Sequence, residues 1–417
     1  MRALLKRHIP TSLRNLVISA RGRLAAPPID DVVLADYGFV AEGSRVPRLN
    51  LMMPNLSKAT AFGGVMTGLD IFFSLAAALR RTGTWDLRII LSEPGRDTDV
   101  AIAARVAQRH GIASADLVME LLAPGSGSLA MRRGDVVIAY NWWCALNVQP
   151  LIAEQARHFG EERLPLVYLI QEYEPNFYAM STAHMLAREA YDGAGRLWGV
   201  FNSSNLHRWF EHVGHHAERS FIFEPVINDA LRPYLAQVGG HERARRIVVY
   251  GRPNIERNCF PALVRGLNAW IAQDPDHTTW EIVSAGTPHP PVQLDGGHVI
   301  RSLGKLSLDD YAQLMLTSSV GISLMASPHP SYPPLEMAHF GLRTVTNGYF
   351  LKNLAAWHPN IVSTDAISAS RLGETIAIAR AASRNPAPAA VNAEFVRSDP
   401  YPFMAELVEA VGDLVQT

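Results

Sequence analysis

The sequence predicts an α/β protein of two doubly wound domains, each a parallel sheet with helices on both faces. Three observations predict it. Short, almost wholly apolar runs alternate with longer runs that are amphipathic at helical spacing, as expected of doubly buried strands and their crossover helices. The alternation breaks near residues 228–240, where Pro233, Gly239 and Gly240 interrupt it, and then starts afresh. The chain's 417 residues are long for one core and comfortable for two.

In the first half, LNLMMPNL (49–56) reads as a strand and 63–83 as a helix opened by Gly63 and Gly64. LRIILSE (87–93) is a strand; 97–111 is a helix with Asp97 as its N-cap and Gly111 as its stop. DLVMEL (116–121), DVVIAYNWW (135–143), LPLVYLIQEYEP (164–175) and RLWGVFNSS (196–204) are the further strands. In the second half, RIVVYGRP (246–253) is a strand and loop, followed by a helix to about Gln273. WEIVSAG (280–286), HVIRSLGKL (298–306), VGISLMAS (320–327) and RTVTNG (343–348) are strands. Ser307 and Asp310 form a capping-box-like helix start, and 333–341 is a helix ending at Gly341. The expected division is a leader (1–45), a first domain (46–232), a second domain (233–395) and a terminal helix (396–417).

A formal net charge of -1 gives no case for nucleic-acid binding. Two distant cysteines, Cys144 and Cys259, exclude a disulfide framework and a cysteine zinc site, and suit a reducing, cytoplasmic setting. No apolar run reaches membrane-spanning length. The leader is basic, with Arg2, Lys6, Arg7, Arg14, Arg21 and Arg23, and carries apolar residues at helical spacing. It is read either as a peripheral contact with the inner face of a membrane or as a plain leader broken by Pro10. The histidines show no metal-binding spacing, and the adjacent His215 and His216 are expected to be exposed. The DTD of residues 97–99 is assigned to helix capping rather than to metal. No GxSxG elbow or P-loop is present.

Two such sheets present their strand carboxyl ends to a shared cleft, where open α/β sheets bind ligands. Arg252 and Lys305 both follow strands on that edge, and a forked, permanent cation such as Arg252 suits a diphosphate. Arg257 is a second cation close by. Glu336 is placed in the first turn of the 333–341 helix, whose free N–H groups would favour an anion. On the first domain, Gly63 and Gly64 let backbone approach a ligand closely. Glu172 and Glu174, at the tip of a buried strand, are expected on one face, where one would orient or deprotonate an acceptor hydroxyl.

The segment ISLMASPHPSYPPLEMAHFGLRTVTNG (322–348) resembles the donor motif of glycosyltransferase family 4, which has the GT-B fold. Glu336 matches that motif's second glutamate, which the resemblance implies binds the nucleotide ribose; Pro328 stands where the first would fall. SPHPSYPPLEMAHFG, YGRP and YLIQEYEP resemble a narrower group, the bacterial dTDP-rhamnose-dependent rhamnosyltransferases. The resemblance implies a pyrophosphate grip by Arg252 and Arg257, with Lys305 as a further phosphate contact. It makes Tyr332 a contact to nucleotide or sugar, and 60–69 the acceptor-side loop. It implies transfer of L-rhamnose from dTDP-rhamnose to a growing or lipid-linked glycan, retention at the anomeric carbon, no metal cofactor, and a terminal helix returning to the first domain. The alternatives are a nucleotide-sugar epimerase of the same fold and a non-catalytic sugar-nucleotide-binding assembly partner.

Overall fold

The computed structural model describes residues 34–61, 63–122, 127–383 and 390–415. The leader's basic residues from Arg2 to Arg23 lie outside them. The described part of the leader contributes a strand: β1 (Gly38–Ala41) pairs in parallel with β5 (Ser128–Met131).

The first sheet has seven parallel strands in the order β4-β3-β2-β6-β7-β8-β9. These are β2 (Arg48–Met53), β3 (Asp86–Leu91), β4 (Leu117–Leu121), β6 (Asp135–Ala139), β7 (Leu166–Ile170), β8 (Leu197–Phe201) and β9 (Arg219–Ile222). Strands β2, β6, β7 and β8 are buried along their whole length. That is why they read as unbroken apolar runs. Strand β9 is a short edge strand of mixed burial and left no such signal.

The second sheet runs β12-β13-β11-β10-β14-β15-β16. Its strands are β10 (Ala244–Gly251), β11 (Glu281–Gly286), β12 (Val292–Gln293), β13 (Val299–Gly304), β14 (Ser318–Ile322), β15 (Arg343–Asn347) and β16 (Ile361–Thr364). Only the β12–β13 pair is antiparallel. Each sheet carries an apolar core on both faces.

Several local expectations are corrected. The run 135–143 does not stay a strand. It ends at Ala139, and the Asn141 side chain accepts the Cys144 N–H at 3.1 Å to cap a helix, Trp142–Phe159. Asp97 caps nothing: the helix begins at Ala101, Asp97 Oδ1 accepts from Asn55 at 3.3 Å, and Asp99 Oδ1 accepts the Ala101 N–H at 3.1 Å. His215 is buried between the Tyr173 hydroxyl (3.0 Å) and Asp192 (2.6 Å), while His216 is exposed. The Ser307 cap is present, accepting the Asp310 N–H at 3.1 Å.

Two chain crossings join the domains. The Ile227 N–H donates to Phe395 O at 2.8 Å, and Arg397 donates to Glu224 O at 3.2 Å. Past the second crossing, Tyr401 packs on Phe223 with ring centroids 5.4 Å apart. The Met404–Asp413 helix then lies on the Gly64–Leu79 helix. Tyr401, Phe403, Leu407 and Val411 are buried members of the first domain's core. Burying Leu407 and Val411 alone contributes roughly 3–6 kcal/mol, on the order of a whole domain's net stability. The returning helix is thus part of that core.

Candidate functional site

Each sheet reverses its winding once, between β2 and β6 and between β10 and β14. Open α/β sheets bind ligands at the carboxyl edge beside such a reversal. The two edges meet. Ser327, after β14, donates its hydroxyl to Glu172, after β7. Asn176 donates to the Tyr349 hydroxyl at 3.1 Å. The Arg257 guanidinium lies over the Phe177 ring, 4.8 Å from its centroid. Trp209 and His212 contact Phe350, with ring centroids 5.3 and 4.2 Å apart.

On the second domain, β10 and β11 end in a tight pair of glycines. A Cβ on Gly286 would stand 2.2 Å from Gly251 O, and Gly286 has φ +152. Backbone alone fits there, and the Thr287 N–H bonds Gly251 O at 3.0 Å. This turn projects Arg252 from the strand end. Among the described residues the Arg252 side chain, partly exposed, has no ion-pair or hydrogen-bond partner. Arg257 follows one turn later, partly buried, and its Nε lacks a partner among the described residues. Lys305 stands exposed just past β13.

The helix after β14 is Tyr332–His339, so Glu336 lies in its second turn rather than its first. The expected fan of N–H groups is also reduced. Pro333 and Pro334 occupy the first turn, and proline has no N–H to offer. The positive charge at this edge therefore comes from side-chain cations rather than from the helix start. Burial pushes the Glu336 carboxyl up to about 7, partly offset by the Tyr311 hydroxyl. Tyr332 packs near His329, centroids 6.1 Å apart, and burial beside Glu336 pushes its phenol up to about 12.

On the first domain, Gly63 has φ 50 and open space where a Cβ would stand. Gly64 instead makes room for protein: a Cβ there would meet Gln171 at 2.9 Å and the Tyr140 hydroxyl at 3.2 Å, and Gln171 donates to Gly64 O at 3.1 Å. Glu172 and Glu174 do not alternate along a strand. Strand β7 ends at Ile170, and Glu174 opens a 3-10 turn, Glu174–Phe177, with Pro175 next. Their side chains diverge. Glu172 faces Ser327, Arg257 and Lys352 of the other domain; burial raises its carboxyl, and those three groups oppose the rise. Glu174 points into the first domain and accepts from Tyr168. Burial raises it to about 8, with the Tyr168 hydroxyl opposing.

The sequence reading missed Ser327, His329, Lys352 and Tyr140. Ser327 and His329 sit inside the quoted SPHPS stretch; Lys352 lies beyond Gly348, where the motif ended. His329 is buried, and desolvation with Lys352 and Arg257 nearby lowers it to about 3, so it is neutral. Among the described residues no group of three or more His, Cys, Asp or Glu is arranged to hold a metal ion. No helix among them is long and apolar enough to cross a membrane.

The WsaF N-terminal domain matches residues 48–204 and the WsaF C-terminal domain residues 245–377, in order and together over more than half the chain. The chain belongs to the WsaF family. A curated relative of this WsaF-family chain, the O-antigen biosynthesis protein RfbC of Myxococcus xanthus, is 30% identical over 292 residues, 69% of the chain and 21% of the relative. The chain thus spans about a fifth of that relative's length. Among solved structures, Anabaena Alr3699/HepE in complex with UDP-glucose matches 88% of this chain and 99% of its own, with TM-score 0.53 and 14% identity. The same protein with UDP and glucose matches 89% and 99%, with TM-score 0.53 and 13% identity. That likeness is one of fold, the two-domain GT-B architecture. Family and fold together support a glycosyltransferase.

Proposed function

We propose that this WsaF-family chain transfers L-rhamnose from dTDP-rhamnose to a hydroxyl of a growing glycan. One observation carries the reading: Arg252 and Arg257 follow one sheet's carboxyl edge, Glu172 and Glu174, both with raised proton affinity, follow the other's, and the two edges meet where Ser327 donates to Glu172 and Arg257 lies over Phe177. Arg252, Arg257 and Lys305 hold the donor diphosphate. Glu336 takes the ribose hydroxyls, and Tyr332 contacts nucleotide or sugar. The acceptor enters past Gly63. Glu174 removes its proton as the hydroxyl oxygen bonds the anomeric carbon. The bond from that carbon to the diphosphate breaks, and its electron pair leaves on dTDP, where fixed cations stabilise the new charge. Glu172, engaged by Ser327, is assigned to holding the domains together rather than to proton transfer.

The rhamnosyl donor is supported by the likeness of 327–341 to rhamnosyltransferases. A glycan acceptor is supported by the O-antigen role in the relative's name, and a sugar nucleotide by the UDP-glucose bound to HepE.

The test is a thermal-shift panel of dTDP-, UDP- and GDP-sugars on wild type and Arg252→Ala. Ligand binding to the folded state raises the melting temperature. A shift with dTDP-rhamnose that Arg252→Ala loses supports the reading. A shift with UDP- or GDP-sugars alone replaces the donor, and no shift with any nucleotide overturns the donor site.

A further inference from the structure

Lys352 is 2% exposed and belongs to none of the sequence motifs. Burying a lysine is unfavourable unless its charge is engaged, and a methionine would fill the same space. Its Nζ donates to Met325 O at 2.9 Å, its one hydrogen-bond acceptor among the described residues. Asn347 holds the same residue, donating to Met325 O at 3.1 Å and accepting its N–H at 2.7 Å. From Met325 the chain reaches the donor side through a run of short bonds. The Ser327 N–H donates to Met325 O at 2.9 Å. Ser327 Oγ accepts the His329 N–H at 2.9 Å, and His329 Nδ1 accepts the Ser331 N–H at 3.0 Å. Tyr332 comes next and opens its helix.

Lys352 also faces the other domain. Burial lowers its ammonium to about 8, while Glu172 and Cys259 act to keep it charged. The Tyr349 ring lies 6.0 Å from Nζ. Glu172 closes the circuit by accepting from Ser327, two residues after Met325.

We propose that Lys352 is a positioning residue of the donor site: it fixes the 323–331 loop and, through Glu172 of the facing domain, links the placement of that loop to closure of the cleft. This rests on the donor-site reading above. A lysine serving packing alone would leave donor binding intact when replaced by methionine. A lysine in this circuit would not.

The experiment is calorimetric titration of dTDP-rhamnose, and of UDP-glucose in parallel, into wild type and variants. Lys352→Met should weaken binding of whichever sugar nucleotide the wild type takes by roughly tenfold or more, the value of a hydrogen bond to a charged group. Lys352→Arg, which keeps the cation, should recover part of it. Glu172→Gln should lose a similar factor, and the double variant should lose less than the product of the two, because both break one circuit. Wild-type affinity in Lys352→Met, or losses that multiply fully, would overturn the proposal. If Lys352→Met does not fold, Glu172→Gln and Ser327→Ala break the same link from the cleft, and unchanged binding in both overturns it. Failure of folded wild type to bind any sugar nucleotide sinks the donor-site reading itself, a result seen without any variant.

Discussion

Arg257 of the second domain lies over Phe177 of the first, its guanidinium carbon 4.8 Å from the ring centroid. A cation at the second sheet's carboxyl edge is thereby oriented by an aromatic at the first's. Such a contact is worth about 0.5–2 kcal/mol. Phe177→Ala should therefore weaken dTDP binding roughly two- to thirtyfold, measured by calorimetry. Phe177→Leu should resemble Ala, since it keeps apolar cover without a ring. Unchanged affinity in both would separate Arg257 from the donor.

Glu174 must be ionised to take a proton, and burial holds its carboxyl at about 8. In the proposed role, kcat should climb with pH through about 8 and level off above it. Tyr168 opposes the rise, so Tyr168→Phe should move the climb to higher pH. Glu174→Gln should lower kcat by roughly 10²–10⁴-fold while dTDP-rhamnose still binds. A flat pH–rate profile would remove Glu174 from the chemistry.

The same burial has a stability cost. Glu174 and Glu336 titrate near 8 and 7 when folded, above the usual 4.5. Over that window the folded state holds protons that the unfolded chain has released, so stability falls as pH rises. His329 and His339, lowered to about 3 and about 4 from 6.5, act oppositely below 6.5. Lys352, lowered from 10.5 to about 8, acts oppositely above 8. The fall should thus be clearest between about pH 6.5 and 8. Thermal midpoints should drop across it in wild type and flatten in the Glu174→Gln, Glu336→Gln double variant.

Two glycine substitutions should differ sharply. At Gly63 an added methyl meets nothing, and only φ 50 opposes it. Gly63→Ala should lose about 1–2 kcal/mol and a few degrees of melting temperature. At Gly286 the methyl would meet Gly251 O at 2.2 Å. Gly286→Ala should lower the midpoint several times further, and equal effects would contradict the tight β10–β11 turn.

Much of the fold was legible because strands buried on both faces leave unbroken apolar runs. Arg252 and Lys305 were legible because a cation just past such a run sits at the carboxyl edge. What failed depended on where the chain leaves the sheet. Glu172 and Glu174 looked like alternating strand residues, but β7 stops at Ile170 and Pro175 enters a 3-10 turn. The helix-start anion site overlooked that Pro333 and Pro334, plain in the sequence, remove N–H groups from the first turn, and the helix starts at Tyr332, which puts Glu336 in the second turn. His215 read as exposed and Lys352 drew no reading at all; only tertiary contacts reveal that both are buried.

The returning Met404–Asp413 helix sets the order in which the molecule can be finished. A ribosome makes the first sheet well before the second, yet the first core still lacks Tyr401, Phe403, Leu407 and Val411 until the second domain has been made. The domain begun first is therefore the one completed last. During that interval its Gly64–Leu79 helix has an uncovered apolar flank, a surface that a nascent-chain chaperone would be expected to shield.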